Sequence, residues 1–252
     1  MGNNNSFSFL TTKPQRRLLS KLHPEWLYVL PKVTMTTERL VADVTYTDGT
    51  TTSYTLIDTE ALTLRAGEVK YFDVSYAKRN YDNMNPAKTI KYITIKITSS
   101  QGFGDFVTYF PYTPNGDDIK AIYYHNSQGG VDSLICESDI QESRSFDGLV
   151  TASPMESVYD TNAAQFKYVD PSFRSEFSLS SGQKPAKEIF ALHDLFSIKR
   201  AYEYEEIAGG KLLTPIIPEQ RDITFPSART NIRQLSFTYR YAFDQRAIDR
   251  IS

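Results

Sequence analysis

This 252-residue chain has one cysteine, three histidines and one tryptophan, and these shortages exclude several kinds of site. Cys136 has no second cysteine to pair with, so a disulfide within the chain is excluded. The histidines His23, His125 and His193 lie far apart, with no carboxylate or second histidine at the spacing of zinc ligands. We therefore expect no disulfide, no metal site and no bound cofactor.

Long apolar segments and a strong excess of one charge are also missing. No apolar run approaches the ~20 residues that a membrane-spanning helix needs, and the first residues form no hydrophobic signal core. The formal net charge is −2, which argues against a protein built as a whole to bind nucleic acid. The sequence therefore predicts a protein that neither enters a membrane nor has nucleic acid as its main partner.

Aromatic residues are abundant, with 17 tyrosines and 15 phenylalanines. Tyrosine favours β-strands and packs its ring at half-buried surfaces while its hydroxyl stays in contact with water. Aromatic residues are also enriched at contacts between proteins. We therefore predict a β-rich protein that packs against partners.

Alternating apolar and polar residues predict a first β domain over residues 32–113. Leu40–Tyr46 and Tyr54–Leu56 alternate on either side of Asp48-Gly49, and an Asp-Gly turn between two alternating runs is typical of a β-hairpin. Short strands separated by turns about every ten residues indicate an Ig-like or fibronectin-like β-sandwich. Further strands are expected at Val69–Tyr76, Thr89–Thr98 and Phe103–Phe110.

Residues 1–31 are predicted to form an N-terminal arm. Its aromatic end, Trp26–Leu30, either docks on the body of the same chain or reaches a neighbouring subunit or an anionic surface. Four basic residues interrupted by proline are weak evidence for nucleic acid. That basic cluster consists of Lys13, Arg16, Arg17 and Lys21.

Residues 114–252 are predicted to form a second domain, a β-rich α+β domain with one helix. Pro114–Asp118 marks the boundary, and Ile119–Glu137 is predicted to form a hairpin whose turn contains two glycines. Residues 138–165 are polar and long for an ordered loop, which indicates a mobile or interacting loop.

The helix of this domain is expected at about residues 185–200. Pro185 suits a first helical turn, and four apolar residues repeat at helical spacing after it. The final segment, Leu235–Phe243, alternates more regularly than any other and should anchor a core or a contact between subunits. The four helical residues are Ile189, Leu192, Leu195 and Phe196.

Residues with a chemical role are scarce, and each has a structural alternative. One alternative is that Cys136 acts as a nucleophile with His125 as its base across the predicted hairpin. No nearby cationic cluster would lower the pKa of the thiol, so a buried inert thiol is favoured. Gln128–Gly130 lacks the helix of a phosphate-binding loop, and Asp117-Asp118 lacks EF-hand spacing. We predict turns at both positions and no enzyme activity.

The segment Tyr123–Cys136 resembles part of a known group of proteins. Its residues Tyr-Tyr-His-Asn-Ser-Gln-Gly-Gly-Val-Asp-Ser-Leu are similar to an aromatic-rich Asn-Ser-x-Gly-Gly-x-Asp-Ser/Thr-Leu hairpin of tail and virion proteins from phages and prophages of Bacteroidetes, including crAss-like phages. His125 stands where that group often has an aliphatic residue, and Val131 where it usually has an aromatic one. Looser similarity extends over about residues 66–243, through Ala66–Tyr76, Ile189–Arg200, Leu212–Ile217 and Leu235–Phe243.

The resemblance implies a virion structural protein of a tail, hub or connector ring, assembled in the host cytoplasm and without catalytic residues. It implies several copies that contact one another and other virion proteins. The alternative is an adhesin module that binds a receptor or glycan on the host surface through exposed tyrosines and tryptophan. The predicted contact residues are Trp26, Tyr28, Tyr123, Tyr124, Asn126, Gly129, Gly130, Tyr239 and Tyr241.

Overall fold

The chain is mostly β, as its sequence predicts, with four short helices among the residues described. No helix of these residues is long and apolar enough to span a membrane. The structure, a computed structural model, describes residues 7–34, 39–57, 63–99, 102–115, 119–137, 141–152, 166–198, 200–207, 210–219, 232–243 and 245–246.

The first part of the chain forms a β-sandwich. Its strands are β1 (Phe7–Phe9), β2 (Arg16–Ser20), β3 (Trp26–Pro31), β4 (Arg39–Tyr46), β5 (Thr51–Ile57), β6 (Lys70–Asp73), β7 (Ile90–Ser99) and β8 (Gly102–Tyr112), and two helices, α1 (Tyr76–Arg79) and α2 (Tyr81–Met84), follow β6. One sheet has the order β1-β3-β6 and the other the order β2-β8-β7-β4-β5. Strand β2 lies parallel to β8, whereas the other pairs are antiparallel.

Both sheets of the sandwich bury one face in a shared core. Successive side chains of a strand point to opposite faces, so the alternation read from the sequence selects the buried set. Gly49 joins β4 to β5 with a φ of 84°, the positive φ that an Asp-Gly hairpin turn requires. Seven residues of β4 and β7 are fully buried: Leu40, Ala42, Val44, Tyr46, Ile93, Ile95 and Ile97.

Residues 7–31, the described part of the predicted N-terminal arm, lie within this sandwich. Strands β1 and β3 supply two of the three strands of the smaller sheet, and β2 is an edge strand of the larger one. Phe7 and Val29 have no exposed surface, and Leu27 is 1% exposed. The prediction of an arm that reaches outward is therefore wrong for these residues, because their apolar side chains complete the core of the sandwich.

The second part of the chain is organised around an eight-stranded sheet of order β10-β9-β14-β15-β17-β12-β11, in which β18 also pairs with β12. A small two-stranded sheet joins β13 to β16. The elements are β9 (Lys120–His125), β10 (Val131–Cys136), β11 (Gln141–Ala152), β12 (Phe166–Ser180), β13 (Lys184–Pro185), α3 (Ala186–Ala191), α4 (His193–Ile198), β14 (Ala201–Ile207), β15 (Gly210–Glu219), β16 (Ile232–Arg233), β17 (Ser236–Tyr241) and β18 (Gln245–Arg246).

Strand β9 is covered on both of its faces. Ile122 and Tyr124 point to a core that includes residues of α3 and α4. Ala121 and Tyr123 point to the other side, where Trp26 of the sandwich packs against them. The β9–β10 hairpin therefore lies between the helices and the sandwich.

The helix predicted at about 185–200 is present as α3 and α4, which follow one another with only Leu192 between them. One prediction for this part differs from the structure. Residues 141–152 form a strand, whereas the sequence predicted a loop there. Residues Gln141–Ser145 of this strand pair with β12. They are polar and lack the apolar alternation by which a strand is recognised in a sequence, so the prediction missed them. Residues 116–118 of the predicted boundary, and the remainder of the predicted loop, lie outside the described residues.

Candidate interface and aromatic cleft

The turn of the β9–β10 hairpin is closed by the N-terminal segment of the same chain. The Asn126 Oδ1 atom accepts hydrogen bonds from the backbone N–H groups of Gln128 at 3.0 Å and Gly130 at 2.9 Å. Gly129 has a φ of 89°. A Cβ atom on Gly130 would lie 2.0 Å from the carbonyl oxygen of Leu10. The turn requires glycine at position 129 because of the positive φ there. Position 130 requires glycine because the backbone of Leu10 approaches too closely for a side chain.

Asp132, at the start of β10, holds this N-terminal segment in place. Its carboxylate is buried and accepts hydrogen bonds from the Thr11 hydroxyl at 2.6 Å and the Thr12 N–H at 3.1 Å. It also accepts one from the Asn126 side-chain amide at 2.9 Å. The bonds from Thr11 and Thr12 join residues about 120 positions apart, so they form only when both parts of the chain are folded.

Arg17 and Glu25 form a buried ion pair at the same junction. The Arg17 guanidinium, 1% exposed, donates to the Thr11 hydroxyl and to the Tyr109 hydroxyl, each at 2.7 Å. Its Nη2 atom lies 3.7 Å from a carboxylate oxygen of Glu25. Glu25 in turn accepts a hydrogen bond from the Ser133 hydroxyl at 2.5 Å. The pair therefore links the sandwich to β10.

The charges of this network stabilise one another. Burial opposes the charge on Arg17, but attraction to Tyr109, Glu25 and Asp132 outweighs burial and raises the arginine pKa above its ordinary value. Removing one partner of a buried pair leaves an uncompensated charge in the interior. We infer that the sandwich and the eight-stranded sheet behave as one folded unit.

Five of the nine predicted contact residues are buried by this chain itself: Tyr123, Tyr124, Asn126, Gly130 and Tyr239. Their prediction as contacts to another subunit is corrected, because the N-terminal segment and the core already cover them. Tyr239 donates a hydrogen bond to the buried Glu203 at 2.8 Å, and burial together with Glu203 raises the pKa of Tyr239. Gly129 is exposed, and Trp26, Tyr28 and Tyr241 are half-buried.

Trp26, Tyr28 and Tyr71 form one wall of an aromatic cleft. Trp26 and Tyr28 lie on β3 and alternate with its buried residues, so they point away from the sandwich core. Tyr71 lies on β6 directly opposite Tyr28, and their ring centres are 5.9 Å apart. Tyr71 is 66% exposed and stands at the rim.

The other wall comes from the eight-stranded sheet. Tyr202 of β14 lies opposite Tyr123 of β9, so the two side chains share the face that turns toward the sandwich. His125, Val131 and Leu213 complete this wall. The space between the two walls has a volume of about 370 Å³. This is within the ~300–1,000 Å³ range of small-molecule pockets.

Trp26 and Tyr123 contact each other within the lining of the cleft, and His125 is the only basic side chain among its described lining residues. The rings of Trp26 and Tyr123 are 4.9 Å apart, and the Tyr123 hydroxyl donates to the carbonyl of Pro24 at 2.7 Å. None of the eight described residues that line the cleft is a carboxylate, lysine or arginine. Burial, with a smaller effect of Tyr71, raises the pKa of Tyr28, so this hydroxyl keeps its proton.

Sequence reasoning found three of the cleft residues, Trp26, Tyr28 and Tyr123, as interface candidates. It missed Tyr71 and Tyr202, which lie in other strands and show only the alternation of an ordinary surface tyrosine. The one available indication was that Tyr71 precedes Phe72, which is buried, so that Tyr71 had to point away from the core.

The structure does not bring Cys136 and His125 together. Cys136 lies opposite Lys120, and His125 lies opposite Val131, so they occupy the two ends of the hairpin. Burial raises the pKa of Cys136 to about 12, although Lys184 opposes this effect. Within the described part of the chain, no group of three or more histidine, cysteine or acidic residues is placed to hold a metal.

A two-stranded ribbon extends from the edge of the eight-stranded sheet. Strand β12 pairs with β11 from Phe166 to Ser178. On its other side it pairs with β17 only over Glu176–Ser180 and with β18 at Ser172 and Phe173. Residues 166–171 therefore have one neighbouring strand among the described residues, over a length of about 20 Å.

Comparison with known proteins finds no matching family model, no matching curated protein and no matching solved structure. The resemblance to phage tail and virion proteins therefore stays a prediction.

Proposed function

We propose that this protein is a structural subunit of a phage virion, in a tail, hub or connector ring, and that it acts by assembling with copies of itself and with other virion proteins. The observation that carries the proposal is the ribbon of β11 and β12. A two-stranded ribbon on its own is at best marginally stable in water. Cover from a neighbouring subunit would stabilise residues 166–171, which have a strand on one side only among the residues described.

An edge strand that is unprotected over most of its length supports the same proposal. Within the described residues β5 pairs only with β4. Its residues Thr51–Thr55 pair regularly, the register shifts between Thr55 and Ile57, and the whole strand contains no charge, proline or glycine. Edges of monomeric proteins are commonly protected by charges, proline or bulges. The regular stretch Thr51–Thr55 has none of these features, so its outer backbone groups are suited to accept a strand from a neighbour.

The buried junction explains how such a subunit would present these elements. Arg17, Glu25 and Asp132 hold the sandwich against the eight-stranded sheet, so β5 and the ribbon belong to one preformed body. Association of preformed bodies costs less ordering of the chain than folding on contact does. In a ring, one surface of each subunit would contact a different surface of the next subunit.

The test shortens the ribbon. Residues 148–171 are replaced by Asn-Gly, which joins the paired residues Asp147 and Ser172 by a two-residue turn. We expect the unaltered chain to form multimers as its concentration rises, seen by sedimentation velocity and by electron microscopy of rings or tubes. The shortened chain should stay monomeric with an unchanged circular dichroism spectrum.

A matched control shortens another hairpin with the same turn. Replacing Ile207–Gly210, between β14 and β15, by Asn-Gly should leave assembly intact. An unaltered chain that stays monomeric up to its solubility limit contradicts the proposal, and so does a ribbon-shortened chain that assembles normally.

A further inference from the structure

We infer that the aromatic cleft between β3, β6, β9 and β14 is a binding site for a neutral carbohydrate. Its walls are the rings of Trp26, Tyr28 and Tyr71 on one side and of Tyr123 and Tyr202 on the other. The inference does not depend on assembly, because the ribbon and β5 contribute no residue to this cleft.

The lining selects an uncharged ligand that has both apolar and polar groups. Aromatic faces pack against C–H groups, as on the apolar side of a sugar ring. A cationic ligand would enter the cleft without a compensating charge, because its described lining contains His125 but no carboxylate. An anionic ligand would meet no lysine or arginine there, so the lining favours a neutral saccharide over a basic peptide, an acidic glycan or a nucleotide.

Free polar groups in the cleft suit a ligand rich in hydroxyls. The hydroxyls of Tyr28, Tyr71 and Tyr202 form no hydrogen bond with any of the described residues, and neither does the indole N–H of Trp26. A tyrosine hydroxyl both donates and accepts, as sugar hydroxyls do. A purely apolar ligand would bury these groups without partners, which carries a free-energy cost.

The shape of the cleft limits the ligand to a small part of a glycan. Its volume of about 370 Å³ is that of a small-molecule site. Tyr71 and Leu213, 66% and 50% exposed, stand at the open rim. A terminal sugar unit would enter between the rings while the rest of the glycan stays in solvent.

The test uses the single tryptophan of the chain as a reporter. Trp26 lies in the cleft, so its fluorescence should change when the cleft fills. The full chain is screened on an array of neutral and charged glycans, and fluorescence titrations follow with maltose, cellobiose, lactose, sialyllactose and decaproline. We expect at least one neutral glycan to bind and to change the emission of Trp26.

Variants locate the binding. Tyr71→Ala should weaken binding by about tenfold or more, because it removes an exposed stacking ring with little effect on folding. Tyr71→Phe keeps the ring and should weaken binding less. Phe106→Ala is the matched control, since Phe106 is an aromatic residue 43% exposed on β8, outside the cleft; it should leave binding unchanged.

The inference is overturned if no neutral glycan binds, if only charged glycans or decaproline bind, or if Tyr71→Ala and Tyr202→Ala both bind as the unaltered chain does. Unfolding midpoints of every variant show whether a loss of binding reflects a loss of folding. Binding can fail while the ribbon still drives assembly, and assembly can fail while glycans still bind, so the two proposals are tested separately.

Discussion

Replacing Arg17 by methionine should destabilise the whole chain, because this one side chain sits where the sandwich meets the eight-stranded sheet. Methionine keeps most of the apolar volume of the arginine stem while removing its charge and its donors. The substitution would remove the buried cation that faces Glu25 and Asp132, and it would leave Lys13, 3.8 Å away, as the remaining ion-pair partner of Glu25. It would also leave the Tyr109 hydroxyl without its 2.7 Å partner.

The expected cost is about 3 kcal/mol, the lower end of the range found when one member of a buried ion pair is removed, because Lys13 still faces Glu25. Arg17 is 1% exposed, so its charge and its donors are lost from the interior and not from the surface. A contact over the Tyr109 ring at 4.9 Å is lost as well.

Urea unfolding, followed by circular dichroism and by Trp26 fluorescence, measures this cost. The neighbouring Arg16 is exposed on the same strand, and Arg16→Met should change the free energy of unfolding by no more than about 0.5 kcal/mol. Adding Glu25→Gln to Arg17→Met should cost less than the sum of the two single changes, because the two sites are in contact.

Similar free energies of unfolding for Arg17→Met and Arg16→Met would contradict this prediction. A double variant that loses the full sum of the two single changes would contradict it as well, since the charges of Arg17 and Glu25 would then not be coupled.

Gly130→Ala should cost about 1–3 kcal/mol in urea unfolding, because the new Cβ would lie 2.0 Å from a backbone oxygen of Leu10. Gly210→Ala, where a Cβ meets no atom within 4 Å, should change stability by less than about 1 kcal/mol, and equal losses in the two variants would rule out the clash. Cys136 should resist a thiol reagent such as DTNB at pH 8 and react rapidly in urea, because burial raises its pKa from 9.0 to about 12. Its contribution to stability should be present below pH 9.0 and be lost as the pH rises toward about 12, and rapid labelling of the folded chain would contradict a buried thiol.

Local features of the fold were predictable from the sequence. The alternation in Leu40–Tyr46 and the turn at Asp48-Gly49 each depend on neighbours within a few residues, and the structure has both. The β9–β10 hairpin around Gly129 was predictable for the same reason. Strand pattern and turn chemistry are properties of short segments.

The place of the N-terminal segment was not predictable from local pattern. Arg17 and Glu25 look like solvated charges in the sequence, and their burial depends on Tyr109 and Ser133, which lie 92 and 108 residues away from them. Nothing near Arg17 in the chain indicates these partners. Of the two alternatives for the predicted arm, an arm that reaches outward was therefore wrong for residues 7–31, whereas a segment that packs on the same chain agrees with the structure.

The cleft was hidden for a related reason. Its aromatic residues come from four strands separated by long stretches of chain, and each strand shows only ordinary alternation. Trp26 was a candidate because it is the only tryptophan, whereas Tyr71 and Tyr202 are two of 17 tyrosines with no local mark of a shared site.

The parallel pairing of β2 with β8 implies an order of events on the ribosome. Arg17 is synthesised 92 residues before Tyr109, which at translation rates of about 5–20 residues per second is a delay of roughly 5–18 s. During that interval Phe7 and Val29 have no larger sheet to cover them. A nascent chain of this protein should therefore bind chaperones until β8 emerges, and should acquire protease resistance only after the β9–β10 hairpin has left the exit tunnel.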